Sequence, residues 1–114
     1  MTITEETAND VSILTIKGNI MGGPDAEVFY NKVKSLIDAN QRKIVLDLSG
    51  VKLMNSSGLG ILIKSLKPVK ESGGDFHLAN ISEKIDSLFM ITKLYTVFST
   101  FDTVADATKA FQGK

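Results

Sequence analysis

The sequence contains no cysteine, and its 114 residues include a single histidine, His77. The absence of cysteine excludes thiol catalysis, cysteine-ligated zinc and a disulfide framework. One histidine is too few for a metal site built from several imidazoles. The side chains on which most nucleophilic and metal-dependent chemistry depends are therefore scarce or missing in this chain.

An excess of charge of one sign is also lacking. Thirteen basic and thirteen acidic side chains cancel to a net charge of zero. The chain therefore lacks the net positive charge that predicts binding to nucleic acid or anionic membranes. No apolar run approaches the roughly 20 residues that a membrane span needs. The first six residues lack the basic and then apolar pattern of a secretory signal. We therefore expect a cytoplasmic protein that binds neither nucleic acid nor membrane.

The length and the apolar spacing predict one α/β domain over residues 1–114. Helices are predicted to begin at Pro24 or Asp25, near Ser56-Ser57, at Ser82, and at Asp102 or Thr103. Ser49-Gly50 is predicted to interrupt the third strand, and Pro68 to kink or end the second helix. Strands that alternate with helices indicate a largely parallel, helix-covered sheet. The predicted strands cover residues 2–6, 11–17, 43–48, 75–79 and 97–101.

One segment, residues 53–60, stands apart, and we call it the serine loop. It follows a buried strand, and functional groups in open α/β sheets gather at the carboxyl ends of strands. Ser56 or Ser57 is placed to cap the helix that follows. Gly58 and Gly60 each cost a helix roughly 1 kcal/mol relative to alanine. Both glycines in a first turn predict close approach by another backbone or by a partner.

Three enzymatic interpretations fit this segment poorly. A dinucleotide fingerprint requires Gly or Ala where Ile63 stands. A nucleophile elbow requires a serine centred between glycines, and His77 is predicted in a strand, as an ordinary packed histidine. A receiver domain phosphorylated on Asp47 needs further carboxylates where residues 17–19 read Lys-Gly-Asn. The sequence therefore predicts a protein that is not an enzyme and needs no metal or cofactor.

Three stretches together resemble the bacterial anti-sigma factor antagonists, which are stand-alone STAS domains. They are Ile-Val-Leu-Asp-Leu-Ser-Gly-Val at 44–51, Met-Asn-Ser-Ser-Gly-Leu-Gly at 54–60, and Gly73-Gly74 before a strand. The similarity extends from about Val11 to Phe111. It implies a single STAS domain, a small, mixed, mostly parallel sheet of about four to five strands covered by about four helices.

The resemblance also implies a mechanism of partner switching. The unphosphorylated form in this family binds an anti-sigma factor that is also a serine kinase, a histidine-kinase-like ATPase. The kinase phosphorylates a serine of the loop, which ends binding, and a PP2C-type phosphatase reverses the modification. By this resemblance the acceptor is Ser56, and Ser57 is the alternative acceptor or a structural cap. A STAS regulator of another output, such as secretion or biofilm formation, remains the second interpretation.

Two loops of this chain depart from the family pattern. Asn55 stands where the family usually has an aspartate before the acceptor, and Gly-Asn-Ile-Met at 18–21 replaces Gly-Glu-[Leu/Ile]-Asp. Both loops have lost acidic groups, so we expect a neutral surface facing the partner. For the apolar residues of the predicted interface, burial in the core of the domain is the alternative interpretation. The predicted partner-binding residues are Ile20, Met21, Met54, Asn55, Ser56, Ser57, Gly58, Leu59 and Ile63.

Overall fold

The computed structural model describes residues 1–112; Gly113 and Lys114, the last two residues of the predicted domain, lie outside the described residues. Within 1–112, five strands form one sheet: β1 (Thr2–Ala8), β2 (Val11–Ile20), β3 (Lys43–Met54), β4 (Asp75–Ala79) and β5 (Ser99–Phe101). The α-helices are α1 (Pro24–Asp38), α2 (Ser56–Glu71), α3 (Glu83–Ile91) and α4 (Val104–Gln112).

The strands lie in the order β1-β2-β3-β4-β5, with β1 antiparallel to β2 and every other pair parallel. This arrangement confirms the predicted mixed, mostly parallel sheet. Because neighbouring parallel strands end at the same edge, the loops after β2 and β3 emerge side by side. The fold therefore brings the serine loop next to the segment that leads into α1.

Alternation along the strands divides the core into two layers. Ile44 and Leu46 of β3 belong to the larger core cluster, which includes residues of α1, α2 and α3. Val45 between them belongs to a smaller cluster with Ala107 and Phe111 of α4. Successive side chains of a strand point to opposite faces, so α4 covers one face of the sheet and the other three helices cover the opposite face. Burial on both faces explains the aliphatic run in β3.

The predicted interruption of the third strand at Ser49-Gly50 is wrong, because β3 continues to Met54. Its register with β2 shifts twice, over residues 15–17 and 18–20 of β2, and each shift accommodates an extra residue on β3. A Cβ built on Gly50 would lie 2.9 Å from the carbonyl oxygen of Ile16. Gly50 therefore permits close pairing beside an irregularity and does not end the strand.

The ends of the later elements match the sequence prediction in part. Helix α2 runs through Pro68 to Glu71, so the proline does not end it. The last strand is shorter than predicted, because Leu94–Thr96 forms a 3-10 turn before it. The predicted caps Ser82 and Thr103 are confirmed, since their side chains accept hydrogen bonds from backbone N–H groups at the starts of α3 and α4.

Candidate functional site

Asn55 joins the two loops at the carboxyl edge of the sheet. Its side-chain oxygen accepts a hydrogen bond from the backbone N–H of Gly58 at 2.8 Å, which caps α2. Its Nδ2 donates to the carbonyl oxygen of Met21 at 3.2 Å, in the loop after β2. Asn55 makes both bonds because its amide carries a donor and an acceptor. An ionised aspartate, the usual residue at this position in the family that the chain resembles, can accept hydrogen bonds but cannot donate them. The substitution of Asn for Asp therefore keeps the cap and adds a link between the loops.

The prediction that Ser56 or Ser57 caps this helix is wrong, because Asn55 holds that position. The two serines are the first two residues of α2, and both side chains are exposed. Asparagine is among the most favoured N-cap residues, and the bond to Met21 adds a reason for it to be chosen here. Both hydroxyl groups are left at the surface, next to the positive end of a helix.

Two substitutions of Asn55 distinguish the contributions of these two hydrogen bonds to stability. Asn55→Ala removes both and is expected to lower the free energy of unfolding by about 1–2 kcal/mol, at the upper end of the cost of losing a cap. Asn55→Asp keeps an acceptor at the helix end and is expected to cost less. Urea unfolding of the three proteins measures the difference. Equal losses in both variants would show that the cap contributes nothing.

Gly58 confirms the predicted close approach of another backbone. A Cβ built on it would lie 1.9 Å from the carbonyl oxygen of Ile20. The first turn of α2 is therefore seated directly on the end of β2, a contact that no larger residue permits. Gly60 differs, because a Cβ there would have no neighbour within 4 Å among the described residues. The same prediction for Gly60 is not supported.

Gly22 fits the loop after β2 against the start of α2. Its φ of +95° lies in the left-handed region that favours glycine. A Cβ built there would lie 2.8 Å from the Cβ of Ser57. The Gly22-Gly23 pair turns the chain before α1, and Gly22 also holds the loop in contact with Ser57. Ser57 is thus packed against the neighbouring loop.

The structure divides the predicted partner-binding residues between surface and core. Ile20 and Leu59 are only 1% and 3% exposed and belong to the larger core, so they are not part of the surface. Gly58 is also buried, and Met54 is half-buried against the core. Met21 and Ile63 are 44% and 42% exposed. The apolar surface beside Ser56 therefore contains Met21 and Ile63.

Leu53 was missed by the sequence reasoning. It is 45% exposed at the end of β3, one residue before the half-buried Met54. The strand period gives no signal for it, because Val51, two residues earlier, is buried, and the second register shift with β2 falls between Val51 and Met54. The expectation that β3 ends at residue 48 also left Leu53 outside the predicted strand.

The two loops carry no charge of their own. Residues 18–23 and 53–60 contain no Asp, Glu, Lys or Arg. The exposed Lys17 and Lys52 flank them, and Asp25 accepts a hydrogen bond from the backbone N–H of Met21 at 3.4 Å. The two loops thus form an uncharged surface, as predicted. Any charge added at Ser56 would be the first within this surface.

The side chains considered for other chemistry are engaged in structural contacts. His77 is buried in β4, with Nδ1 2.9 Å from the carbonyl oxygen of Ala107 and its ring stacked on Phe111. Asp47 accepts hydrogen bonds from the backbone N–H of Ser49 and from Asn80, both at 3.0 Å. His77 is therefore the packed histidine that the sequence predicts, and Asp47 joins an irregular part of β3 to the residue that follows β4.

Tyr95 lies in the 3-10 turn after α3 and has a raised pKa. Burial raises the pKa of Tyr95 to about 12, and Asp86, which accepts a hydrogen bond from its hydroxyl, adds to the rise. The phenol serves as a hydrogen-bond donor to Asp86. It links α3 to the 3-10 turn.

Among residues 1–112, no group of three or more His, Cys, Asp or Glu side chains is arranged to hold a metal ion. No helix in the same range is long and apolar enough to cross a membrane.

Known proteins resemble this chain in sequence and in fold. The family model for the STAS domain matches residues 2–107. An anti-sigma-B factor antagonist from Bacillus subtilis is 33% identical over 93 residues, which cover 79% of this chain and 80% of that protein. The crystal structure of a putative anti-sigma factor antagonist from Thermotoga maritima is 28% identical, with a TM-score of 0.86, and the match covers 95% of this chain and 92% of that one.

The fold is also that of the anti-sigma factor antagonist SpoIIAA. Its unphosphorylated form superposes with a TM-score of 0.76 at 17% identity, over 99% of this chain and all of that one. Its phosphorylated form, described as a Bacillus cell fate determinant, superposes with a TM-score of 0.73 over 96% of this chain and 99% of that one. At this identity the likeness concerns the fold alone.

Proposed function

Because this chain belongs to the STAS domain family, we propose that it is an anti-sigma factor antagonist whose binding is switched by phosphorylation of Ser56. In this proposal it is a cytoplasmic regulatory protein and not an enzyme. Its unphosphorylated form binds an anti-sigma factor with serine kinase activity and so frees a sigma factor. The observation that carries the proposal is the exposed Ser56 at the first position of α2, within a neutral and partly apolar surface.

The fold itself tolerates a phosphate at Ser56. A phosphoryl group adds roughly −1.5 to −2 of charge. The first backbone N–H groups of a helix have no intrahelical partner, and the helix dipole is positive at that end. A phosphate on the exposed Ser56 therefore meets a favourable field and displaces no packed side chain. The modified domain keeps its structure.

A covered interface does not tolerate the same phosphate. Met21 and Ile63 offer apolar contacts beside Ser56, and the loops around them have no cation that would neutralise the new charge. Removing one partner of a buried ion pair costs roughly 3–5 kcal/mol, which is the scale for an unpaired buried charge. At about 1.4 kcal/mol per factor of ten, binding weakens by about 10² to 10⁴-fold. One serine thus suffices as a switch.

A complex with the kinase tests the proposal. The candidate partner is a histidine-kinase-like ATPase, to be sought first among the genes that neighbour this chain's gene. We expect the two purified proteins to elute together in size-exclusion chromatography, to separate after ATP is added, and to reassociate after treatment with a PP2C-type phosphatase. A non-hydrolysable ATP analogue is the control and should leave the complex intact. A complex that ATP never dissolves would contradict the proposal.

The neutral loops favour a second candidate function. With Asn55 and Met21 where the family usually has acidic residues, a kinase that recognises acidic loops would find no charged partner groups. A STAS regulator of another output, such as secretion or biofilm formation, through a similar kinase and phosphatase fits this difference. Deletion of the gene followed by measurement of transcripts distinguishes the two, because only the first candidate changes the genes of a single sigma factor.

Met21 provides a test of the interface that does not touch the serine. Met21→Ala is expected to weaken partner binding by about 5- to 30-fold, since partial burial of a methionine is worth about 1–2 kcal/mol. Val97→Ala is the matched control, because Val97 is similarly exposed at 45%. It precedes β5, at the edge of the sheet opposite the serine loop. Equal dissociation constants for the two variants, measured by calorimetry, would remove Met21 from the interface.

A further inference from the structure

A groove of about 570 Å³ runs between α1 and α2, away from the serine loop. Its apolar surface comes from Tyr30, Val33 and Ile37 of α1 and from Pro68 of α2. Ser56 and Pro68 are twelve residues apart on α2, which places them about 18 Å apart along the helix axis. The groove is therefore a separate feature from the site of the proposed switch.

Ser65 of α2 is a small side chain in the lining of the groove. It is only 1% exposed, and its hydroxyl donates a hydrogen bond to the carbonyl oxygen of Ile61 at 2.8 Å, back along its own helix. The side chain is small and is directed to its own backbone, so it does not fill the gap toward α1. A leucine at the same position would occupy part of the groove.

The charges at the groove are of one sign. Lys34 and Lys64, one on each helix, are the charged side chains that line it. Lys32, Lys43 and Lys70 have acidic partners, whereas Lys34 and Lys64 belong to the larger group of lysines for which the described residues supply none. Within residues 1–112, neither lysine of the groove lies within 4.0 Å of a carboxylate. The groove thus combines an apolar surface with two cations that have no acidic partner in the fold.

We propose that this groove binds a long-chain carboxylate, with the chain along the apolar surface and the carboxylate between Lys34 and Lys64. The volume lies within the range of small-molecule sites, about 300–1,000 Å³. A protein partner usually covers about 20–30 residues a side, whereas eight residues line this groove. The large apolar side chains that are exposed on the described surface, such as Ile63 and Val28, are not among them. A second copy placed across the groove by two-fold symmetry would bring like charges together.

Titration with laurate tests the proposal. Laurate is added, below its micelle concentration, to the ¹⁵N-labelled protein, and amide shifts are followed by NMR. Saturable shifts at residues of the groove are expected, with none at the serine loop. Dodecyltrimethylammonium has the same chain with the opposite charge and is expected not to saturate. Equal binding of the two amphiphiles would overturn the proposal, and so would laurate shifts spread over the whole surface.

Charge reversal in the groove provides the matched variants. The double variant Lys34→Glu with Lys64→Glu is expected to bind laurate at least tenfold more weakly. Lys67→Glu with Lys84→Glu makes the same change of net charge at exposed positions outside the groove and should bind as the unmodified protein does. Equal weakening in both double variants would overturn the assignment of the carboxylate to the groove.

Filling the groove is an independent test. Ser65→Leu is expected to abolish laurate binding, with circular dichroism as the check on folding; if it does not fold, Pro68→Trp obstructs the groove from its exposed rim. Laurate affinity unchanged in the folded variant would overturn the proposal. If sedimentation shows a dimer that forms through this face and that laurate does not affect, the groove is the binding site of a second copy. That result would also overturn the proposal.

Discussion

Ser56→Asp is expected to weaken binding to the kinase partner by about 10² to 10⁴-fold while the free energy of unfolding changes little. The carboxylate lies at the positive end of α2, where the fold accepts an anion. At the interface the same charge has no cation to pair with, because residues 18–23 and 53–60 are uncharged. One carboxylate carries less charge than a phosphate, so the loss should fall toward the lower end of that range.

The control for this prediction is Ser99→Asp. Ser99 is exposed at the start of β5, and its substitution makes the same change of net charge at the opposite edge of the sheet. Its dissociation constant should equal that of the unmodified protein, whether measured by calorimetry or by surface plasmon resonance. An unchanged dissociation constant for Ser56→Asp would show that a charge at this position does not switch binding.

Gly58→Ala is expected to lower the free energy of unfolding by about 3 kcal/mol or more. The added Cβ would lie 1.9 Å from the carbonyl oxygen of Ile20 and 3.0 Å from the Cγ of Met54. Forcing atoms into a packed contact typically costs 1–3 kcal/mol, and here the obstacle is backbone that would have to move. For a domain of this size the melting temperature should fall by roughly 10–20 °C.

Gly60→Ala is the matched control, two residues further along the same helix. A Cβ at Gly60 has no neighbour within 4 Å among the described residues. Alanine is the better helix former by roughly 1 kcal/mol, so this variant should gain stability by up to that amount. Calorimetric melting of both variants tests the pair. Similar melting temperatures for the two would mean that α2 is not seated on the end of β2 as described.

Much of the fold was predictable because its signals are local. Phe29, Val33 and Leu36 recur at helical spacing and are the buried face of α1. The aliphatic residues of the stretch 43–48 do not strictly alternate with polar ones, which is typical of a strand covered on both faces, and β3 is such a strand. The continuation of β3 past Gly50 was not predictable, because its cause is the carbonyl oxygen of Ile16 on the neighbouring strand.

The candidate site was predictable as a region but not side chain by side chain. Asn55, Ser56 and Ser57 are all suitable helix caps in sequence. The choice of Asn55 involves the carbonyl oxygen of Met21, 34 residues away along the chain. Likewise, Ile20 and Met21 are adjacent and both apolar, yet one is in the core and the other at the surface. The period of β2 separates them, because Ile20 shares the face of the buried Leu14 and Ile16, but the predicted strand ended at residue 17.

Intact-mass spectrometry shows which serine, if any, the kinase phosphorylates. The chain is incubated with its kinase partner and ATP, alongside Ser56→Ala and Ser57→Ala. We expect the gain of one phosphate in the unmodified chain and in Ser57→Ala, and no gain in Ser56→Ala. A phosphate retained in Ser56→Ala and lost in Ser57→Ala would move the acceptor to Ser57. No phosphate on any of the three proteins would contradict the switch itself.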